Sequence, residues 1–135
     1  MESPKNERLP MVYSCSGCSS AAQMANYIAV RMDRLALAEM SCIAGVGGHV
    51  KPLVRKAQSA RAIIGIDGCP LACVRACLRQ HGLEPAYHID LSRFGVPKMQ
   101  HADFSRETAE SLLTHIVNAL KNQNHEQGAQ LFRPA

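Results

Sequence analysis

Three cysteines stand at a constant interval in this chain: Cys15, Cys42 and Cys69 lie 27 residues apart, and each closes a short apolar run. The runs are Met11-Val12-Tyr13-Ser14, Ala38-Glu39-Met40-Ser41 and Ile63-Ile64-Gly65-Ile66-Asp67-Gly68, so each thiol follows a predicted strand. The interval has the length of one strand-helix unit. If the strands are parallel in one sheet, all three thiols emerge at the same edge, the edge where open α/β sheets bind their ligands. A set of thiolates gathered in this way suits a soft metal.

The third run is the clearest element. Ala62-Ile63-Ile64-Gly65-Ile66 is continuously apolar and rich in isoleucine, as expected of a strand buried on both faces of a parallel sheet. Around it the chain alternates strands and helices. Residues 9–15 read as a first strand, and Ala21, Ala22, Met24, Ala25, Ile28, Ala29 and Met32 recur at helical spacing as far as Arg34. A second strand is expected at 38–43, a flexible turn at Gly45-Val46-Gly47-Gly48, and a short basic helix over 49–59 with Pro52 in its first turn. Pro70 suits the first position of a helix that stops at Gly82. A fourth strand, Ala86-Tyr87-His88-Ile89-Asp90-Leu91, precedes a loop and a last helix opening near Ser105, whose Ala109, Leu112, Leu113, Ile116, Val117 and Leu120 form one stripe.

This alternation implies an α/β fold: a three-layer sandwich with a mainly parallel four-stranded sheet and helices on both faces, Rossmann-like in its organisation. At 135 residues the chain has the length of one domain. The reading is a flexible N-terminus over 1–8, a single domain over 9–121, and a polar, flexible tail over 122–135. Hydrophobic residues make up 47% and charged residues 19%, the balance of a globular chain. No run approaches the roughly 20 apolar residues of a membrane span, and the polar first ten residues lack the apolar core of a secretory signal. The net charge of +4 is spread out and aromatic residues are few, which argues against nucleic acid as a partner. A cytoplasmic location follows as an expectation, and in that reducing compartment six cysteines read as thiols, metal ligands or redox groups rather than disulfides.

Cys69, Cys73 and Cys77 are spaced by four, which on one continuous helix puts them on one face. Cys69 is expected at or just before the helix start and Cys73 one turn in, while Cys77 reads as a small hydrophobic group packed against the sheet. Cys15 and Cys18 form a Cys-x-x-Cys pair able to chelate a metal or to act as a redox couple. Four thiolates, Cys15, Cys42, Cys69 and Cys73, are the number that tetrahedral zinc takes. An iron–sulfur cluster takes the same number. His49 is a further ligand or base candidate, and Asp67 either caps the third helix or orients a metal-bound group. Gly45-Val46-Gly47-Gly48 reads as a plain turn rather than an anion loop, because no Lys-Ser/Thr pair follows it.

Ile66-Asp67-Gly68-Cys69-Pro70-Leu71-x-Cys73, together with Cys15-Ser16-Gly17 and Ser41-Cys42-Ile43-Ala44-Gly45-Val46-Gly47-Gly48, resembles the DGC-motif family. The resemblance runs from about Val12 to Lys98. It implies a small bacterial protein whose four characteristic cysteines, here Cys15, Cys42, Cys69 and Cys73, are proposed to bind zinc. In many relatives a small residue occupies the position of Cys18. The expected function is therefore zinc binding at the carboxyl edge of the sheet. The alternative is a thiol-based redox or transfer enzyme using Cys69 or the Cys15/Cys18 pair, or an iron–sulfur protein.

Overall fold

The computed structural model describes residues 9–122, so the expected flexible ends, 1–8 and all but the first residue of 122–135, lie outside the described residues. Strand β1 (Met11–Ser14) is buried at every position. It leads through a turn to helix α1 (Ser20–Arg34), where the Ser19 hydroxyl accepts a hydrogen bond from the Ala22 N–H at 3.1 Å. That cap satisfies one of the unpaired donors of the first turn, and Arg31 and Arg34 suit the negative end of the helix dipole. Strand β2 (Glu39–Met40) follows, then helices α2 (Ile43–Gly47) and α3 (Lys51–Ala57), with Pro52 in the first turn of α3. Strand β3 (Ile63–Asp67) is buried along its whole length. Helix α4 (Cys73–Arg79), strand β4 (Tyr87–Asp90), a 3-10 turn (Leu91–Phe94) and helix α5 (Arg106–Lys121) complete the fold. Helix α5 opens after Ser105 as expected, and the Ser105 hydroxyl caps it by accepting from the Thr108 N–H at 3.1 Å.

All strand pairs are parallel, in the order β2-β1-β3-β4. One face of the sheet, through Val12, Ile64, Ile66 and Ile89, packs against Met24, Ile28 and Met32 of α1 and against Ala109, Leu113 and Ile116 of α5. The other face, through Met11, Tyr13 and Ile63, meets Val46 of α2, Ala57 of α3, and Val74 and Leu78 of α4. The fold is thus the expected α/β arrangement with helices on both faces. Because residues alternate across a strand, one four-residue strand such as β1 feeds both cores.

Three local expectations are corrected. The second strand is two residues long rather than spanning 38–43, because the chain turns into α2 directly after Cys42, whose carbonyl accepts from the Val46 N–H at 3.2 Å. The supposed flexible turn at 45–48 is mostly that helix. Its glycine at 45 is required by packing, since a Cβ there would lie 2.0 Å from Leu53 Cδ1 of α3. Helix α4 opens at Cys73 and not at Pro70. Residues 69–72 form a turn closed by the Ala72 N–H on the Cys69 carbonyl at 3.1 Å, with Pro70 at the second position that its fixed φ favours. Ala72 then takes the left-handed conformation, φ +53°, before the helix begins. Cys69 therefore precedes the helix, and only Cys73 and Cys77 share its face.

Candidate metal centre

In the order β2-β1-β3-β4 the chain leaves β1 toward β2 on one side and returns to β3 on the other. The direction of winding reverses between β1 and β3, and such a reversal opens a crevice at the carboxyl ends of the two strands. A cleft of about 440 Å3 lies there. Cys15 and Cys18 reach its wall from the turn after β1, Cys69 from the turn after β3, and Cys73 and Cys77 from α4. All six cysteines are free thiols. Cys42, at the start of α2, is exposed and lies outside this wall, although the next residues, Ile43 and Ala44, belong to it. His49 is also outside. Its Nε2 lies 2.7 Å from Gln80 Oε1, and its ring meets His81 edge-on at 4.7 Å between centroids.

Two of the thiols already receive hydrogen bonds of the kind that stabilise a sulfur anion. The Gly68 N–H donates to Cys15 Sγ at 3.2 Å, and Lys98 Nζ donates to Cys69 Sγ at 3.3 Å. Burial nevertheless pushes the Cys15 thiol up to about 11. The Gly68 hydrogen bond pulls the other way, and the negative charges of Asp67, Cys73 and Cys69 add to the rise. Those contributions put Cys69 and Cys73 within electrostatic reach of Cys15. Burial likewise raises Cys77, with Cys73 and Asp67 adding to it. The donor set matches the preference of zinc for thiolate sulfur. Among the described residues no three His, Cys, Asp or Glu side chains converge as closely as a metal ion requires in their present positions.

Beneath the cleft Asp67 does cap α4, from outside the usual capping position. Its Oδ1 accepts the Val74 N–H at 2.8 Å, a task that Ala72 lacks the side chain to perform. Asp67 Oδ2 lies 2.7 Å from His88 Nε2, and His88 Nδ1 lies 2.9 Å from an Arg75 guanidinium nitrogen. A guanidinium only donates, so Nδ1 accepts and Nε2 carries the proton given to Asp67. The chain Arg75–His88–Asp67 thus ends at the helix that bears Cys73. Sequence reading assigned His88 no partner and did not single out Lys98. The available signal was positional: His88 faces Gly65 across the β3–β4 pair, two residues before the end of its strand, and Lys98 follows the carboxyl end of the same strand.

A family model for the DGC domain matches residues 11–116. The chain is 50% identical over 119 residues to the anaerobic and virulence modulator AnvM of Pseudomonas aeruginosa, an alignment covering 88% of this chain and 91% of that protein. No solved structure matches it. The match extends from β1 into α5 and takes in all of Cys15, Cys42, Cys69 and Cys73, and the chain belongs to the DGC domain family.

Proposed function

We propose that this protein binds zinc through thiolates at the carboxyl edge of its sheet. Cys15, Cys69 and Cys73 supply ligands from the cleft wall, and Cys42 is the candidate fourth. The observation that carries this reading is that thiols from two distant segments of the chain, Cys15 after β1 and Cys69 with Cys73 after β3, share one wall at the winding reversal. In this reading the thiols rotate toward a common point. The Gly68 N–H and Lys98 Nζ then offset part of the negative charge that the thiolates bring. Asp67 holds the first turn of α4, and with it Cys73, in place. A bound zinc would supply Lewis acidity if a coordination position stays open, and cross-linking of β1, β3 and α4 if none does.

The relative's description as an anaerobic and virulence modulator supports a regulatory role for the protein. Purification without chelator and elemental analysis test the reading. Zinc near one equivalent per chain is expected, falling strongly in Cys69→Ser and little in Cys77→Ser. Metal-free protein, or equal losses in the two variants, would count against it, while iron in place of zinc would favour the cluster alternative. The Lys98–Cys69 contact supports a second reading, a nucleophilic thiol at Cys69. Alkylation rates of the metal-free protein across pH separate the two: an ordinary thiol at Cys69 leaves the second without support.

A further inference from the structure

The cleft is much larger than a metal requires. Thiolates close around zinc at about 2.3 Å, and a water molecule takes roughly 30 Å3. This open cleft offers about 440 Å3, inside the roughly 300–1,000 Å3 range of pockets for small organic molecules. Away from the sulfurs the wall is mostly apolar, with Ala22, Ile43, Ala44, Leu71 and Val74 beside the neutral polar residues Ser16, Ser19 and Gln100. Leu71 is 74% exposed, so a large apolar side chain stands in water at this site, where covering it would be favourable. Lys98 is the only lysine, arginine, aspartate or glutamate on the wall among the described residues. One of its three N–H donors is directed at Cys69, which leaves two for a ligand.

From these features we infer that the cleft is a binding pocket for a small organic carboxylate, its apolar body against Ala22, Ile43, Leu71 and Val74 and its carboxylate on Lys98 Nζ. The charge complementarity sets the class of ligand: a single cation in a mostly apolar wall with no carboxylate on it selects one anionic group on a hydrocarbon body. The inference goes beyond metal binding and does not depend on it, because neither the apolar wall nor Lys98 is a metal ligand.

Octanoate is the probe, titrated by calorimetry into the full-length protein in both its metal-free and its zinc-loaded forms. Saturable one-site binding to the metal-free form is expected. Lys98→Gln should weaken it roughly tenfold, the equivalent of about 1.4 kcal/mol, and Lys98→Arg should restore most of the loss. Octanamide should bind the wild type no more tightly than octanoate binds Lys98→Gln. Ala44→Phe, which fills the cleft from the exposed side of α2, should abolish binding while thermal melting shows a folded chain. Absence of saturable binding to the metal-free wild type overturns the inference, as does binding indifferent to Ala44→Phe. Binding that responds to Ala44→Phe but not to Lys98→Gln overturns the assignment of a carboxylate. Zinc content, measured separately, tests the metal reading, so either can fail alone.

Discussion

Asp67 and His88 form a buried pair, the carboxylate Oδ2 lying 2.7 Å from the imidazole Nε2, with Asp67 1% and His88 9% exposed. A carboxylate in so dry a place is stable only if its lone pairs are met. Here one oxygen takes the His88 N–H and the other the Val74 N–H. The aspartate of the Asp67-Gly68-Cys69 motif is thereby a structural fastener between β3, β4 and α4, placed directly below the thiols.

Asp67→Asn should show what this fastener contributes. Asparagine has one acceptor oxygen, so if it keeps the Val74 N–H its NH2 group faces the His88 N–H, donor against donor. Reversing the His88 tautomer would relieve that contact and create another, between a protonated Nδ1 and Arg75. We expect a loss of about 2 kcal/mol in denaturant unfolding, the scale for leaving a buried hydrogen-bond donor without its charged acceptor. A loss below about 1 kcal/mol would mean that the pair is not the fastener described.

Gly68 serves the same motif through close approach. A Cβ at this position would lie 2.7 Å from the Ala21 carbonyl carbon and oxygen and 2.8 Å from the Ala22 nitrogen, all of them backbone atoms of α1. Backbone cannot rotate aside as a side chain can, so Gly68→Ala must push the end of β3 away from α1. The expected cost is about 1–3 kcal/mol, with weakened metal uptake because Cys15 loses its hydrogen bond to the displaced Gly68 N–H. Melting temperature and zinc stoichiometry on the same preparation check both effects.

Much of this architecture is legible in the residues. The isoleucine run marks β3, the alanine and methionine periodicity marks α1, and the leucine stripe marks α5, since each encodes burial at the period of its element. Less legible are short elements whose identity is set by distant partners. Val46 is helical because it packs on Met11 and Tyr13, and Gly45 is required by Leu53, a contact that a glycine-rich string cannot announce. The start of α4 depends on Asp67, seven residues before the N–H it caps. At the site, Cys15 and Cys69 follow strand ends, Cys73 opens α4, and all three meet one cleft, whereas Lys98 reaches that cleft, and His88 the Asp67 beneath it, only through the folded path of β4.

At the opposite end of the sheet, Glu39 gives stability a pH dependence. Its carboxylate takes Lys56 Nζ at 2.8 Å and an Arg61 guanidinium nitrogen at 2.8 Å, tying β2 to α3 and to the approach of β3. The Lys56 and Arg61 bonds, in that order, hold its pKa below the ordinary glutamate value. A depressed folded value means that the stabilisation is present above the unfolded value, about 4.3, and is lost as pH falls through the folded one. The difference in unfolding free energy between wild type and Glu39→Gln should therefore be constant from pH 7 to about 5 and shrink below about 4. A difference that persists unchanged at pH 3 would assign the effect to packing rather than charge.

Cys15 behaves in the opposite sense. Its folded pKa of about 11 lies above the roughly 8.5 of an unfolded thiol. In the metal-free protein its contribution to stability is thus complete below about pH 8.5 and is lost as pH rises toward 11. At pH 8 Cys15 should resist iodoacetamide far more than the same residue in urea-unfolded chain, as site-resolved mass spectrometry can report. If Cys15 is a zinc ligand, its proton must leave on binding, and so must those of other neutral thiols in the set. Zinc affinity, measured by chelator competition from pH 6.5 to 8.5, should then rise at least about tenfold per pH unit. Cys15→Ser should flatten that slope as well as weaken binding. A slope near zero in the wild type would mean that zinc displaces no thiol proton, and Cys15 would have to be removed from the ligand set.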